Sequence, residues 1–164
     1  MGTGEEQANQ SPADFVREDL VVLGMNAHTA REVVDELSRR LLAAGFVRET
    51  FADALWEREQ KHPTGLPLAG SINVAIPHAD IEHVIAPALA VATLKQPVTF
   101  QNMIDPDEPV PVLVVIVMAL NEAHAQVEML QKLAFLFQDE ERVERLYRAT
   151  SFEEVRRVLS GASS

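Results

Sequence analysis

Runs of apolar residues predict the strands of this chain. The most apolar run, residues 110–120, is near-continuous Val, Ile and Leu, which is typical of a strand buried on both faces of a sheet. Residues 88–94 are small, apolar and partly β-branched and lie between Pro87 and Pro97, which predicts a second strand. Shorter apolar runs predict three more strands, at residues 20–23, 72–76 and 98–100.

A second pattern, in which apolar residues recur every three or four positions, predicts the helices. Thr29 and Glu32 match a capping box, in which each side chain accepts a hydrogen bond from the backbone amide of the other. The positions that follow form one apolar face: Val33, Val34, Leu37, Leu41 and Leu42. Thr50 can cap a second helix that runs to about residue 60, before Pro63. Three more helices are predicted over residues 122–137, 140–148 and 151–159.

Because helices and strands alternate along the chain, we predict an α/β fold with a mixed β-sheet sandwiched between helices. The length of 164 residues fits one domain. Residues 15–160 contain no linker or internal repeat, and they are predicted to form that domain. Residues 1–14 are polar and are predicted to be a disordered lead-in, and residues 161–164 a loose tail.

Charge and composition exclude several functional classes. The formal net charge of -11 argues against a nucleic-acid partner, since phosphate backbones are bound by basic clusters. The absence of cysteine excludes disulfides and thiol nucleophiles. The longest apolar run is shorter than the roughly 20 residues of a membrane span. The N-terminus lacks the basic and apolar regions of a secretory signal peptide, so a cytoplasmic location is expected.

Among the five histidines, His78 stands out because it directly follows the predicted strand and Pro77. Proline would hold the next residue at the mouth of the sheet, and a neutral imidazole is a good nucleophile and leaving group for a phosphoryl group. Two other interpretations remain from the residues alone. In the first, His78 is a surface histidine without a function. In the second, His78, Asp80 and His83 form a metal site.

Two segments resemble the fructose/mannitol-type enzyme IIA domains of the sugar phosphotransferase system (PTS). One is Arg-Glu followed by Pro-Thr-Gly-Leu at residues 58–66, and the other is Ile-Asn-Val-Ala-Ile-Pro-His at residues 72–78. The resemblance extends over residues 20–159. Within the family, the Pro-Thr-Gly-Leu segment and the helix at residues 127–133 look most similar to the galactitol-type branch.

The resemblance implies a role for each matching residue. His78 would be the phosphohistidine and would react through Nε2, while a backbone carbonyl would hold its other nitrogen. Arg58 would neutralise the phosphate. Thr64 and Gly65 would offer a hydroxyl and amides to it. Many family members carry a second histidine at the start of the helix near residue 126. Our alignment places Gln126 there, with His124 as the alternative.

The same resemblance implies which partner proteins donate and accept the phosphate. It would be a phosphotransferase that accepts phosphate from the histidine phosphocarrier protein and passes it to enzyme IIB, and so indirectly serves the membrane enzyme IIC, without metal or cofactor. Two alternatives share this fold. One is a regulatory, nitrogen-related enzyme IIA that acts by phosphorylation-dependent protein binding. The other is an interaction domain without catalysis.

Overall fold

The computed structural model describes residues 10–161, which form five strands and five α-helices. In chain order these elements are β1 (Val16–Met25), α1 (Ala30–Ala43), α2 (Phe51–Lys61), β2 (Gly65–Leu66), β3 (Asn73–Ala75), β4 (Ala88–Gln101), β5 (Pro109–Ala119), α3 (Ala123–Leu136), α4 (Glu140–Tyr147) and α5 (Phe152–Leu159). Short 3-10 turns lie at Pro12–Phe15 and Ile81–His83. Within the described residues, no helix is both long and apolar enough to cross a membrane.

The strands form one mixed sheet in the order β1-β4-β5-β3-β2. β4 and β5 are antiparallel neighbours at its centre. β1 runs parallel to β4, and β3 runs parallel to β5. This arrangement confirms the predicted α/β fold with a mixed sheet, and it brings the end of β3 beside the end of β5.

Helices cover both faces of the sheet, as the apolar runs predicted. Ala90 and Val115 face a core formed with α1 and α2, whereas Leu89 and Ile116 face a core formed with α3, α4 and α5. All four of these strand residues are buried. Burial of one Val, Leu or Ile side chain stabilises a fold by about 1.5–3 kcal/mol, so the two faces together fix the central strands firmly.

Two strand predictions differ from the structure. The predicted strands at residues 88–94 and 98–100 are one strand, β4, whose pairing with β5 is irregular between Thr93 and Val98. Pro97 lies in that stretch and has no amide to pair, which explains the interruption. β2, which pairs with β3, was not predicted because two residues show no periodicity.

The domain begins earlier than residue 15. Residues 12–15 form a 3-10 turn, and Pro12 and Ala13 are buried against the sheet core. The predicted disordered lead-in is therefore wrong for residues 11–14, because an apolar Pro-Ala pair is enough to attach them to the core. Residues 1–9 of the predicted lead-in and residues 162–164 of the predicted tail lie outside the described residues.

Candidate functional site

His78 lies three residues after the end of β3, where the chain continues beside β5. The backbone amide of Met118, near the end of β5, donates to the Pro77 carbonyl at 2.9 Å, and His78 forms an isolated parallel bridge with Met118. Met118 is fully buried and His78 is only 7% exposed. The histidine backbone is thus fixed by the sheet, as the position of Pro77 predicted.

The ring of His78 is held in one orientation. Nδ1 lies 3.0 Å from the Ile76 carbonyl oxygen. Since a carbonyl only accepts hydrogen bonds, Nδ1 carries the hydrogen, and Nε2 keeps its lone pair in the neutral ring. The backbone carbonyl contact predicted from the sequence is therefore present.

Burial lowers the pKa of His78 below its ordinary value, and the nearby Arg58 guanidinium lowers it further. The hydrogen bond to the Ile76 carbonyl and the charge of Asp80 oppose this shift in the pKa without cancelling it. The ring is consequently neutral and nucleophilic at pH 7.

Arg58 reaches the same site from the last turn of α2. Its Nη1 donates to Asp80 Oδ1 at 3.0 Å, two residues after the histidine. The Arg58 side chain is 36% exposed, yet its Nε is buried and has no hydrogen-bond partner among residues 10–161. A buried donor without an acceptor is unfavourable, so this guanidinium is suited to take up an anion.

Thr64 and Gly65, the two residues predicted to offer donors to the phosphate, have specific contacts of their own in the structure. The Thr64 amide and hydroxyl donate to the two carboxyl oxygens of Glu59, at 2.9 and 2.8 Å. Gly65 pairs with Ala75, and a Cβ at Gly65 would lie 2.6 Å from the Gln101 carbonyl oxygen. Thr64 is thus bound by Glu59, and glycine is required at residue 65 for a close backbone approach, while their contact with phosphate stays a prediction.

The structure separates the two candidates on α3. Gln126 Nε2 donates to the Ala79 carbonyl at 3.1 Å, immediately after His78. His124 is 87% exposed and pairs its Nε2 with Glu128 Oε1 at 3.0 Å on the outside of the same helix. Gln126 thus contacts the segment that contains His78, whereas His124 pairs with a residue of its own helix.

Backbone hydrogen bonds to the loop between α1 and α2 hold the segment that follows His78. The Arg48 amide donates to the His83 carbonyl at 2.9 Å, and the Ile85 amide donates to the Phe46 carbonyl at 2.8 Å. His83 Nδ1 lies 2.8 Å from the Thr50 hydroxyl.

In residues 10–161, no three His, Cys, Asp or Glu side chains are grouped so that they could hold a metal ion.

Sequence reasoning missed Glu59 as part of this region. A signal was present, since Phe51, Leu55 and Glu59 are spaced four residues apart and all three are buried on the inner face of α2. An acid at the third position of such a stripe indicates a buried carboxyl group with specific partners. The role of Met118 could not be found this way, because it depends on which strands become neighbours.

Comparison with known proteins shows the family of this chain. Over residues 14–162 the chain matches the family model for "Phosphoenolpyruvate-dependent sugar phosphotransferase system, EIIA 2". A mannitol-specific phosphotransferase enzyme IIA component of Staphylococcus aureus is 26% identical over 155 residues, which cover 93% of this chain and 99% of that protein. A galactitol-specific EIIA component of Escherichia coli is 32% identical over 115 residues, covering 70% of this chain and 75% of the relative.

Solved structures share the fold. Enzyme IIAMtl in complex with phosphorylated enzyme IIBMtl from Escherichia coli superimposes with a TM-score of 0.73 and 26% identity, over 90% of this chain and 99% of that one. The nitrogen regulatory protein IIA-Ntr of Neisseria meningitidis gives a TM-score of 0.71 and 26% identity, over 90% and 97% of the two chains. With a family match over nearly its whole described length, this chain belongs to the EIIA type 2 family of the phosphoenolpyruvate-dependent sugar phosphotransferase system, and it is a phosphotransferase component.

Proposed function

We propose that His78 is the residue that carries the phosphoryl group, and that it does so on Nε2. The observation that carries this proposal is the hydrogen bond from Nδ1 to the Ile76 carbonyl, which leaves Nε2 as the nucleophilic nitrogen. A lowered pKa keeps that nitrogen unprotonated at neutral pH. Because the ring is held by a fixed backbone group, it needs little reorganisation before reaction.

The transfer occurs between two protein nucleophiles. Nε2 of His78 attacks the phosphorus of a phosphohistidine on the histidine phosphocarrier protein; the new P–N bond forms as the donor P–N bond breaks, and the donor ring keeps the electron pair and leaves neutral. A nucleophile of enzyme IIB then attacks the phosphorus on His78; the bond to that nucleophile forms as the P–Nε2 bond breaks, and the His78 ring keeps the electron pair and leaves neutral. Catalysis then depends on in-line positioning and on charge stabilisation.

Arg58 and Gln126 support this transfer in different ways. Among residues 10–161, the Nε of Arg58 has no hydrogen-bond partner, and the guanidinium can exchange Asp80 for the phosphoryl oxygens. Gln126 holds the Ala79 carbonyl, which fixes the backbone on the C-terminal side of His78. Both residues therefore keep the imidazole and the incoming phosphoryl group in one geometry.

The relatives support a proposal for the partners. The IIAMtl–IIBMtl complex and the sugar-specific relatives support enzyme IIB as the acceptor. We propose the histidine phosphocarrier protein as donor and a membrane enzyme IIC as the final user, with the exchange taking place in the cytoplasm. The net charge of -11 favours basic surfaces on these partners. Mannitol-type and galactitol-type relatives both support a hexitol as the sugar.

The test is phosphotransfer from labelled phosphoenolpyruvate through enzyme I and the phosphocarrier protein. We expect acid-labile label on the wild type and on His124→Ala, and none on His78→Ala. Label that persists on His78→Ala would contradict the assignment. A chase with enzyme IIB separates transport from the nitrogen-related regulatory alternative, because a transport component loses its label to IIB and a purely regulatory one retains it.

A further inference from the structure

Glu59 is a buried carboxyl group that the proposed transfer does not use. It is 6% exposed on the inner face of α2, directly after Arg58. Burial raises its pKa to about 7, against the hydrogen bonds from Thr64 and the charge of Arg58, which lower it. Burying a carboxyl group is costly, so its contacts indicate what the position is for.

Those contacts begin a continuous series of hydrogen bonds that ends at the imidazole. Glu59 binds the amide and hydroxyl of Thr64, whose carbonyl accepts from the Ile76 amide at 3.3 Å. The Ile76 carbonyl then accepts from Nδ1 of His78 at 3.0 Å. Each link joins a different stretch of chain: the end of α2, the start of β2 and the residue after β3.

We propose that Glu59 is a positioning residue for phosphoryl transfer, which holds the Ile76 carbonyl in the place where it selects the Nδ1–H form of His78. This proposal rests on the proposed function of His78. Glu59 acts through Thr64 and does not touch the imidazole or the phosphoryl group.

The contact works through hydrogen bonds rather than through charge. A hydroxyl both donates and accepts, so Thr64 can pair with an ionised carboxylate, which accepts twice, or with a neutral carboxylic acid, which accepts from the amide and donates to the hydroxyl. A glutamine can do the same as the neutral acid, since its carbonyl accepts and its amide donates. A leucine of similar size can do neither.

The experiment uses this difference between glutamine and leucine at residue 59. The variants are Glu59→Leu, Glu59→Gln and, as a matched control on the same helix, Glu57→Leu, whose acid is exposed and paired with Lys61 at 2.9 Å. The first readout is the nitrogen-15 spectrum of His78, which reports the fraction of each ring tautomer without any phosphate. The second is the rate of phosphorylation by the phosphocarrier protein.

We expect Glu59→Leu to mix the tautomers and to slow phosphorylation by about tenfold or more, as small displacements of reacting groups do. Glu59→Gln and Glu57→Leu should keep the wild-type spectrum and stay within about twofold of its rate. A folded Glu59→Leu variant with unchanged tautomer and rate would overturn the proposal. So would a Glu59→Gln variant as impaired as Glu59→Leu, because the charge would then be the active property.

A second pair of variants keeps the proposal testable if Glu59→Leu does not fold. Thr64→Val removes only the hydroxyl, whereas Thr64→Ser keeps both donors. We expect Thr64→Val to mix the tautomers and Thr64→Ser to leave them unchanged, and equal spectra for the two would count against the proposal. A wild type with the Nδ1–H ring that takes no phosphate would refute the proposed function, whereas the effect of Glu59 on the tautomer of His78 would still be decided by the spectra.

Discussion

His78 and His124 are the same side chain in two different surroundings. The backbone of His78 is tied to Met118 and its ring to the Ile76 carbonyl, and the residue is 7% exposed. His124 lies in the first turn of α3 with 87% of its side chain exposed, and it pairs with Glu128. Both lie near the same end of the sheet, because Gln126, two residues after His124, contacts Ala79.

The comparison teaches that nucleophilic character here comes from the surroundings of the ring. A fixed acceptor selects the tautomer of His78, and burial keeps it neutral, whereas a solvated surface ion pair contributes little to stability or orientation. Four pairs of substitutions test this contrast, each with one change near His78 and a matched change elsewhere.

The largest effect is expected on the free energy of unfolding, when proline is placed in the strand beside His78 and in the helix beside His124. Met118→Pro removes the amide that binds the Pro77 carbonyl inside the sheet, and we expect it to lower the free energy of unfolding by on the order of 3 kcal/mol. Ala123→Pro, at the first helical position beside His124, should change it by less than about 0.5 kcal/mol. Urea unfolding measures both, and equal losses would contradict the contrast.

Removing the guanidinium should come next. Arg58→Gln deletes a charge-assisted contact to the phosphoryl group, and we expect phosphorylation of His78 to slow by about 10- to 100-fold. It should also raise the pKa of His78, because Arg58 lowers it, so the variant should lose acceptor activity at a higher pH than the wild type as the pH falls. Lys61→Gln, in the same helical turn, is the control. An unshifted or lowered pKa in a histidine NMR titration would be evidence against this electrostatic role.

A smaller loss is expected from the side chain on α3. Gln126→Ala removes the hydrogen bond to the Ala79 carbonyl, which should slow phosphorylation by about tenfold at most, the equivalent of one hydrogen bond. His124→Ala should leave the rate within about twofold. If the His124 substitution proves the more harmful in a rapid-quench assay, the assignment of Gln126 to the site is wrong.

The smallest effect is expected from neutralising the acidic residue near each histidine, Asp80 for His78 and Glu128 for His124. Asp80→Asn frees Arg58 for the phosphoryl group and removes a nearby negative charge, so we expect the phosphorylated form to be favoured by about two- to threefold, since the pair is well exposed. The pKa of His78 should fall, because Asp80 raises it. Glu128→Gln, which removes the partner of His124, should change neither quantity. Equilibrium labelling and NMR titration provide the two measurements.

The sequence was sufficient for the elements whose pattern is long and regular. The Val-rich run of β5 and the stripe of α1 predicted their strand and helix because burial on two faces or on one face leaves a clear periodicity. The position of His78 after Pro77, read with the family resemblance, also predicted the reactive residue that we propose. Local patterns of this kind need no knowledge of distant contacts.

The rest depended on helical phase and on tertiary neighbours. Gln126 and His124 are two residues apart, which turns their side chains about 200° away from each other around the helix axis, so only one of them can face Ala79. The sequence does not state which one, because the packing of α3 on the sheet decides it. Thr64 was assigned to phosphate because its partner was not recognised: the spacing of Phe51, Leu55 and Glu59 indicates that Glu59 is buried, but not that it binds Thr64.

The parallel pairing of β3 with β5 also has a consequence for the synthesis of the chain. The Pro77 carbonyl finds its partner in Met118, and the Ala79 carbonyl finds its partner 47 residues further along the sequence. Contacts between such distant residues require loop closure before they stabilise anything, so they form late in folding. A partly synthesised chain would contain His78 and its Pro-Thr-Gly segment without a fixed imidazole. If His78 is the phosphoryl acceptor that we propose, such a chain would accept no phosphate until the whole domain had folded.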